Sequence, residues 1–171
     1  ALWQAGGLSA NVVATPLAAD GYVYAASSYT FQSMFAIRLG GAKGDLTDSD
    51  HIVWKRRKRT PYIPSPLLYR DHLYFLSHYQ GVLNRIEAKS GAEAGGPFRL
   101  GPLNEIYASP VAADERIYFV DRNGLTLVLT AGDEPEALAF NHLDDRFSAT
   151  PAIVGGELFL RGEKFLYAIS E

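Results

Sequence analysis

Apolar and polar positions alternate along this chain in short runs of period two, the spacing of half-buried strands, and the runs recur in a set order. Each copy has a small residue, a proline, two or three apolar residues, a polar turn and then an alternating aliphatic and aromatic run. The first copy is Ala14-Thr15-Pro16-Leu17-Ala18-Ala19-Asp20-Gly21-Tyr22-Val23-Tyr24, and the second runs from Pro64 to Phe75. The third runs from Ala108 to Phe119 and the fourth from Ala149 to Phe159. Asp20-Gly21, Arg70-Asp71, Asp114-Glu115 and Gly155-Gly156 supply turn chemistry, so each copy predicts a hairpin. A third strand-like run follows at 33–38, 81–86, 124–129 and 164–169, and a weaker fourth at 51–54, 96–100 and 136–140.

The prolines Pro16, Pro66, Pro110 and Pro151 lie 50, 44 and 41 residues apart, a period suited to a four-stranded propeller blade. The expectation is an all-β chain forming one β-propeller segment over residues 1–171, with about four blades. Their spans are about 12–54, 62–100, 107–140 and 148–171. The fourth copy ends before an outer strand. Ala1-Leu2-Trp3-Gln4 resembles Ile52-Val53-Trp54-Lys55, so residues 1–5 of the same or another chain are the expected completion, which would leave no sheet edge open. Tyr22, Tyr24, Tyr74, Phe75, Tyr118, Phe119 and Phe159 fall on one strand of each blade and are read as packing between blades.

With 47% hydrophobic residues the chain has ample material for a core, and no apolar stretch reaches the roughly 20 residues of a membrane-spanning helix. A formal charge of −3 points to neither nucleic acid nor an anionic membrane as a global partner. The absence of cysteine removes disulfides, thiol nucleophiles and cysteine-ligated zinc. The chain begins at Ala1 without a signal segment, which favours a piece cut from a longer polypeptide.

In a propeller the loops from each outer strand to the next inner strand share a face with the loops between second and third strands. The expected binding face therefore joins 6–11, 55–62, 101–107 and 141–147 to 27–32, 77–80, 121–123 and 161–163. Its candidate residues are Lys55, Arg56, Arg57, Arg59, Tyr62, His78, Tyr79, Asp121, Arg122, Asp144, Asp145 and Arg146. The five cations from Lys55 to Arg59 could draw a phosphate, an acidic glycan or an acidic peptide. A solvated loop balanced by Asp45, Asp48 and Asp50 explains the run equally simply. Asp45 to Asp50 alternates oxygen donors but lacks the glycine and the closing glutamate of a calcium loop. Asp144-Asp145 could be an acid pair, though a turn charge-paired with Arg146 accounts for it. His51, His72, His78 and His142 show no metal-ligand spacing, and neither a phosphate loop nor a G-x-S-x-G elbow is present.

Asp20-Gly21-Tyr22-Val23-Tyr24, Ala36-Ile37-Arg38-Leu39-Gly40-Gly41 with Trp54, and Ile86-Glu87-Ala88-Lys89-Ser90-Gly91 are the pieces that carry a likeness. They resemble the repeats of the pyrroloquinoline-quinone-like β-propellers, over essentially the whole chain and most closely the carboxy-terminal half of bacterial members without an assigned activity. That group also resembles the propeller lipoprotein of the outer-membrane assembly machinery. The resemblance implies a bacterial protein of the periplasm or cell envelope and a ring of seven or eight blades, of which this chain supplies about half. Quinone-dependent members hold quinone and calcium near the axis with adjacent cysteines, an aromatic platform and carboxylate and amide ligands, and none of these positions is matched here. The residues thus favour a non-catalytic scaffold, without cofactor or metal, that binds protein, peptide or glycan rather than nucleic acid. The chain is expected to act as a homodimer or beside a missing half. The alternative is half of a quinone-type oxidoreductase whose active residues lie largely elsewhere.

Overall fold

The structure, a computed structural model, describes residues 1–77 and 81–170. It is built of strands: β1 (Trp3–Gln4), β2 (Leu17–Ala19), β3 (Tyr22–Ser27), β4 (Ser33–Arg38), β5 (Gly44–Asp45), β6 (Ile52–Arg56), β7 (Leu67–Tyr69), β8 (His72–Leu76) and β9 (Val82–Glu87). The rest are β10 (Phe98–Arg99), β11 (Val111–Ala113), β12 (Arg116–Val120), β13 (Leu125–Thr130), β14 (Ala137–His142), β15 (Ala152–Val154), β16 (Glu157–Arg161) and β17 (Leu166–Ile169). Four antiparallel sheets follow in chain order: β2-β3-β4-β6, β7-β8-β9-β10, β11-β12-β13-β14 and the three-stranded β15-β16-β17. The turn residues predicted from sequence do close the inner hairpins, with Asp20, Arg70 and Asp114 at positive φ and Gly155 likewise. This is the expected all-β blade architecture, with an inner strand of three residues in every sheet.

Period-two alternation gives each middle strand two faces, and in the second and third blades each face packs on a different neighbouring blade. Between the first two blades, Tyr24, Ala26, Met34 and Ala36 meet Leu73, Phe75, Ile86 and Ala88. Tyr74, Leu76 and Leu83 meet Ile117, Phe119, Leu127 and Leu129 between the second and third. Leu160, Phe147, Val120 and Ala108 form a smaller cluster between the third and fourth. Tyr22, Tyr24, Tyr74, Phe75 and Phe119 thus pack between blades as expected, whereas Tyr118 lines a cleft and Phe159, in the fourth blade, is only half-buried and joins no inter-blade cluster.

Trp54, on outer strand β6, adds a specific lock to the first joint. Its indole Nε1 donates 2.9 Å to the Ala88 carbonyl of the second blade, and its ring stacks near Tyr24 at 6.2 Å. A Cβ on Gly91 would lie 2.7 Å from the indole, and Gly91 holds φ at +71°, so only glycine lets the ring settle there. Opposite Val128 in the third blade stands Ala139, where Trp54 stands opposite Ala36 in the first. A cleft of about 690 Å³ opens at that third joint, lined by Tyr118, Val128, Leu158 and Ile169 among others.

The second joint holds a buried cation. Arg85, 5% exposed, donates through Nη1 to the Ala94 carbonyl at 2.8 Å and lies 2.7 Å from Asp133 and 3.0 Å from His72 Nε2. An arginine has only donors, so Nε2 of His72 accepts and the ring is neutral. Burial, and next the positive charge of Arg85, hold the His72 pKa below its ordinary value.

Along the axis the residue before each marker proline repeats one contact. The Thr15 N–H donates to Ser65 Oγ at 2.9 Å, the Ser65 N–H to Ser109 Oγ at 2.9 Å, and the Ser109 N–H to Thr150 Oγ1 at 3.3 Å. The Ser/Thr-Pro signature is therefore a relay of hydroxyls joining successive inner strands.

The amino-terminal strand corrects one expectation. β1 does not complete the fourth sheet of its own chain; it pairs in parallel with β5, Trp3 against Gly44 and Gln4 against Asp45. The reason is local packing. Trp3, Ala5 and Leu8 lie against Phe35, Ile37 and Leu46 on the outer face of the first blade, and the Leu46 N–H donates to the Gln4 carbonyl at 2.8 Å.

Replacing Gly91 by alanine forces either the Trp54 ring or the turn to move. We expect a loss of about 2 kcal/mol or more, read as a lower midpoint in urea, with Gly21→Ala as the open-space comparison that costs only its φ strain. For His72 the sign follows from its depressed pKa: stability is present above the unfolded value of about 6.5 and is lost as pH falls below it. Tm measured from about pH 7 down to about pH 5 should fall more steeply for the wild type than for His72→Gln.

Candidate binding face

Among the described residues, loop 6–11 touches loop 27–32, 27–32 touches 55–62, 101–107 touches 121–123, and 141–147 touches 161–163. Asn11 bridges to Tyr29, Phe147 to Gly162, and the Ser9 N–H donates 2.8 Å to Ser27 Oγ. Thr60, fully buried, donates to the Ser27 carbonyl at 3.1 Å, while the Ser28 hydroxyl donates to the Pro61 carbonyl. The Arg122 N–H reaches the Glu105 carbonyl at 3.2 Å, and that of Glu163 the Arg146 carbonyl at 3.0 Å.

Two aspartates build this face rather than decorate it. Asp121, 2% exposed, accepts from the backbone N–H groups of Asn104, Asn123 and Leu125 at 2.9 to 3.3 Å. Asp145, 5% exposed, accepts from those of Arg146, Lys164 and Phe165 at 2.7 to 3.1 Å and from the Tyr167 hydroxyl at 3.3 Å. Burial would raise the Asp145 pKa, but these four donors outweigh it and hold the carboxyl below the usual carboxylate range. The same ion pushes Tyr167 upward, after burial. A Cβ at Gly162 would lie 2.1 Å from Asp145 Oδ2, and one at Gly124 2.0 Å from the Leu143 carbonyl. Small residues at these turns are what admits the carboxylate and the chain beside it.

The basic run is divided by the pleat of β6. Trp54 and Arg56 turn toward the second blade, where Arg56 lies 2.6 Å from Glu93 and over the Phe75 ring at 5.9 Å. Lys55 points the other way, donating 2.7 Å to the Thr47 carbonyl and standing 3.4 Å from Asp48. Arg59 reaches Glu93 at 3.4 Å. The cations therefore do not converge on one point. The acidic stretch beside them is equally occupied: Asp45 accepts from the Thr47 N–H at 2.9 Å and from the Gln4 amide at 3.1 Å. Thr47's hydroxyl and backbone N–H lower the Asp45 pKa.

Arg57 is the member of the run that stays on the upper face. It donates 3.2 Å to the Gly7 carbonyl and lies over the Phe31 ring at 5.4 Å. Phe31 and its neighbour Tyr29 are 46% and 58% exposed. These two aromatics were not singled out from sequence; their signal was an aromatic pair inside a polar turn, Ser27 to Gln32. Arg122 lies over Tyr107 at 5.3 Å. Arg146 stands 3.8 Å from Glu163, and Asp144 3.9 Å from Lys164, both exposed pairs of small energetic weight. Tyr62 donates its N–H to the Leu76 carbonyl at 3.1 Å. His78 and Tyr79 lie outside the described residues.

The axial side offers another test. A cleft of about 510 Å³ there is lined by Thr15, Leu17, Ser65, Pro66, Ser109 and Thr150 with apolar neighbours. No group of three His, Asp or Glu side chains able to hold a metal occurs among the described residues. A calcium and quinone pair needs carboxylate oxygens and a flat aromatic platform. Hydroxyls, prolines and alanines do not supply them, so the residues lining this cleft do not fit that group. No helix among the described residues is long and apolar enough to cross a membrane.

No protein-family model and no curated relative matches the chain. Solved structures do. BamB from Moraxella catarrhalis superposes with a TM-score of 0.67 at 12% identity over 91% of this chain and 41% of its own. The computationally designed Ika4 protein gives 0.71 at 9% identity, covering 99% of this chain and 97% of its own. A europium-containing methanol dehydrogenase gives 0.51 at 12% identity over 74% of this chain and 24% of its own. The chain thus spans about two-fifths of BamB. At such identities the likeness is one of fold, and with the sheets described above it establishes a β-propeller.

Proposed function

We propose that this propeller segment is a non-catalytic binding scaffold whose upper loop face holds an acidic, apolar-containing polypeptide segment. The observation that carries the reading is the patch made by Tyr29, Phe31 and Arg57. Two aromatic rings remain exposed on loops that are otherwise stitched down by backbone and hydroxyl contacts, with a guanidinium held against one of them. Aromatic and arginine side chains are the residues that carry binding energy in protein interfaces, because they bury large area at little entropic cost. Loops already cross-linked lose little freedom on binding. Lys58 follows Arg57 in the same loop and adds to its positive charge.

The alternative of an oxidoreductase half draws no support from the axial residues, which lack the donor set the chemistry requires. The resemblance to the outer-membrane assembly lipoprotein, together with the superposition on BamB, supports a partner in the bacterial cell envelope.

Peptides selected from a displayed random library against the wild-type chain should be rich in Asp or Glu and in apolar residues. Their affinity should drop about 30-fold or more in the Phe31→Ala, Arg57→Ala double variant while Tm stays near the wild-type value. Selection of sequences without acidic residues, or binding unchanged in the double variant, would remove this patch as the site.

A further inference from the structure

The first three blades each finish in an outer strand whose far edge pairs with no further strand among the described residues, and the three edges differ. β6 carries Lys55 and Arg56, while β10 is two residues long and follows Pro97. Charge, shortness and proline are the devices that keep a sheet edge from pairing with another chain. β14 has none of them. It runs for six residues, Ala137 to His142, holds no Lys, Arg, Asp, Glu or proline, and is exposed everywhere except at Ala139, which is half-buried.

Register allows the comparison residue by residue. Both long outer strands shift at the same place, between Ala36 and Ile37 of the first blade and between Val128 and Leu129 of the third. Counted from that shift, Phe140 opposite Leu127 stands where Lys55 stands opposite Phe35, and Asn141 stands where Arg56 does. The cations of the first edge are thus replaced by an amide and a phenylalanine that is 49% exposed, with Leu138 beside it at 51%.

The ladder also sets where the backbone groups of β14 point. The Leu143 N–H donates to the Gly124 carbonyl at 3.1 Å, and in an antiparallel pair alternate residues bond inward. Leu143, Asn141 and Ala139 therefore bond to the β13 side, and the N–H and C=O groups of Phe140 and His142 turn away from the sheet. A row of outward donors and acceptors at this spacing is matched by an extended backbone. Just ahead of β14, the exposed Glu134 and Glu136 side chains enter no ion pair among the described residues, whereas Asp133 is held by Arg85.

We propose that the β14 edge takes up an extended polypeptide segment as a fifth, antiparallel strand of the third blade. That segment alternates apolar residues and carries Lys or Arg toward its carboxy-terminal end. Its apolar side chains cover Phe140 and Leu138, and the antiparallel direction brings its basic end to Glu134 and Glu136. The surface shares no residue with the upper loop patch, and it calls for a basic segment where that patch calls for an acidic one.

A short peptide alternating valine and threonine and ending in lysines, titrated into the full chain, is the probe. It should slow hydrogen exchange at the Phe140 and His142 amides and shift the resonances of β14. Methylating the peptide nitrogens that face β14 keeps its side chains but removes its donors, and should raise the dissociation constant about 10-fold or more without any change to the protein. Phe140→Lys restores the charge that Lys55 gives β6 and should weaken binding by about 10-fold or more with Tm near the wild-type value, while Val53→Lys on β6 leaves binding unchanged. Glu134→Gln with Glu136→Gln should weaken this peptide about 3-fold, and should not weaken one whose lysines are replaced by threonine. No binding up to about 1 mM, equal binding of the methylated peptide, or resonance shifts confined to other surfaces would overturn the proposal. So would a concentration-dependent dimer that Phe140→Lys abolishes, since a second copy would then be the occupant of the edge.

Discussion

Every blade here is a small sheet with two apolar faces, and covering both is the constraint on which the remaining structure depends. A sheet of three or four short strands has no independent core. Stability comes from stacking one blade's Tyr24, Met34 and Trp54 on the next blade's Phe75, Ile86 and Ala88, and repeating the operation around an axis. Where one component shrinks, the joint loosens: Ala139 in place of a tryptophan coincides with the cleft between the third and fourth blades. The axial hydroxyl relay adds a directional polar register to this stacking, and it is the most regular contact in the molecule.

Charged groups serve the scaffold first. Asp121 and Asp145 are consumed in holding loop backbone N–H groups, and Arg85 is sunk in the second joint beside a neutral His72. Of the conspicuous basic run, Arg56 and Arg59 tie the first blade to Glu93 of the second, and Lys55 pins the acidic connection upstream. The described upper loops therefore present a cross-linked surface with exposed aromatic rings, Tyr29 and Phe31, rather than a cluster of unpaired charges.

The blades were legible because their signals are local. Proline before an inner strand, Asp-Gly or a similar pair in the hairpin and period-two alternation in the next strands all act within a few residues. Likewise the contacts between neighbouring loops, such as Ser9 with Ser27 and Arg122 with Glu105, agree with the blade topology. The roles of individual candidates were less legible. Adjacent cations such as Lys55 and Arg56 end on opposite sides of a pleated strand, and which carboxylate each one meets depends on residues up to 37 positions away. Tyr29 and Phe31 fall in the expected loop 27–32, but nothing in the sequence marks them as exposed, since exposure is not written in a residue's type.

What the sequence by itself determined is the repeat: all-β blades, their order, their turns and the aromatic positions that stack between them, because these rest on nearest-neighbour chemistry and alternation. Tertiary structure alone decided where the ends go. Trp3 and Gln4 match an outer strand in sequence, yet pairing depends on which edge lies within reach, and packing against Phe35 and Leu46 holds them at the first blade. The linkage of Thr15, Ser65, Ser109 and Thr150 into one directional relay also belongs to the fold, since it joins residues 41 to 50 positions apart that only stacking brings together.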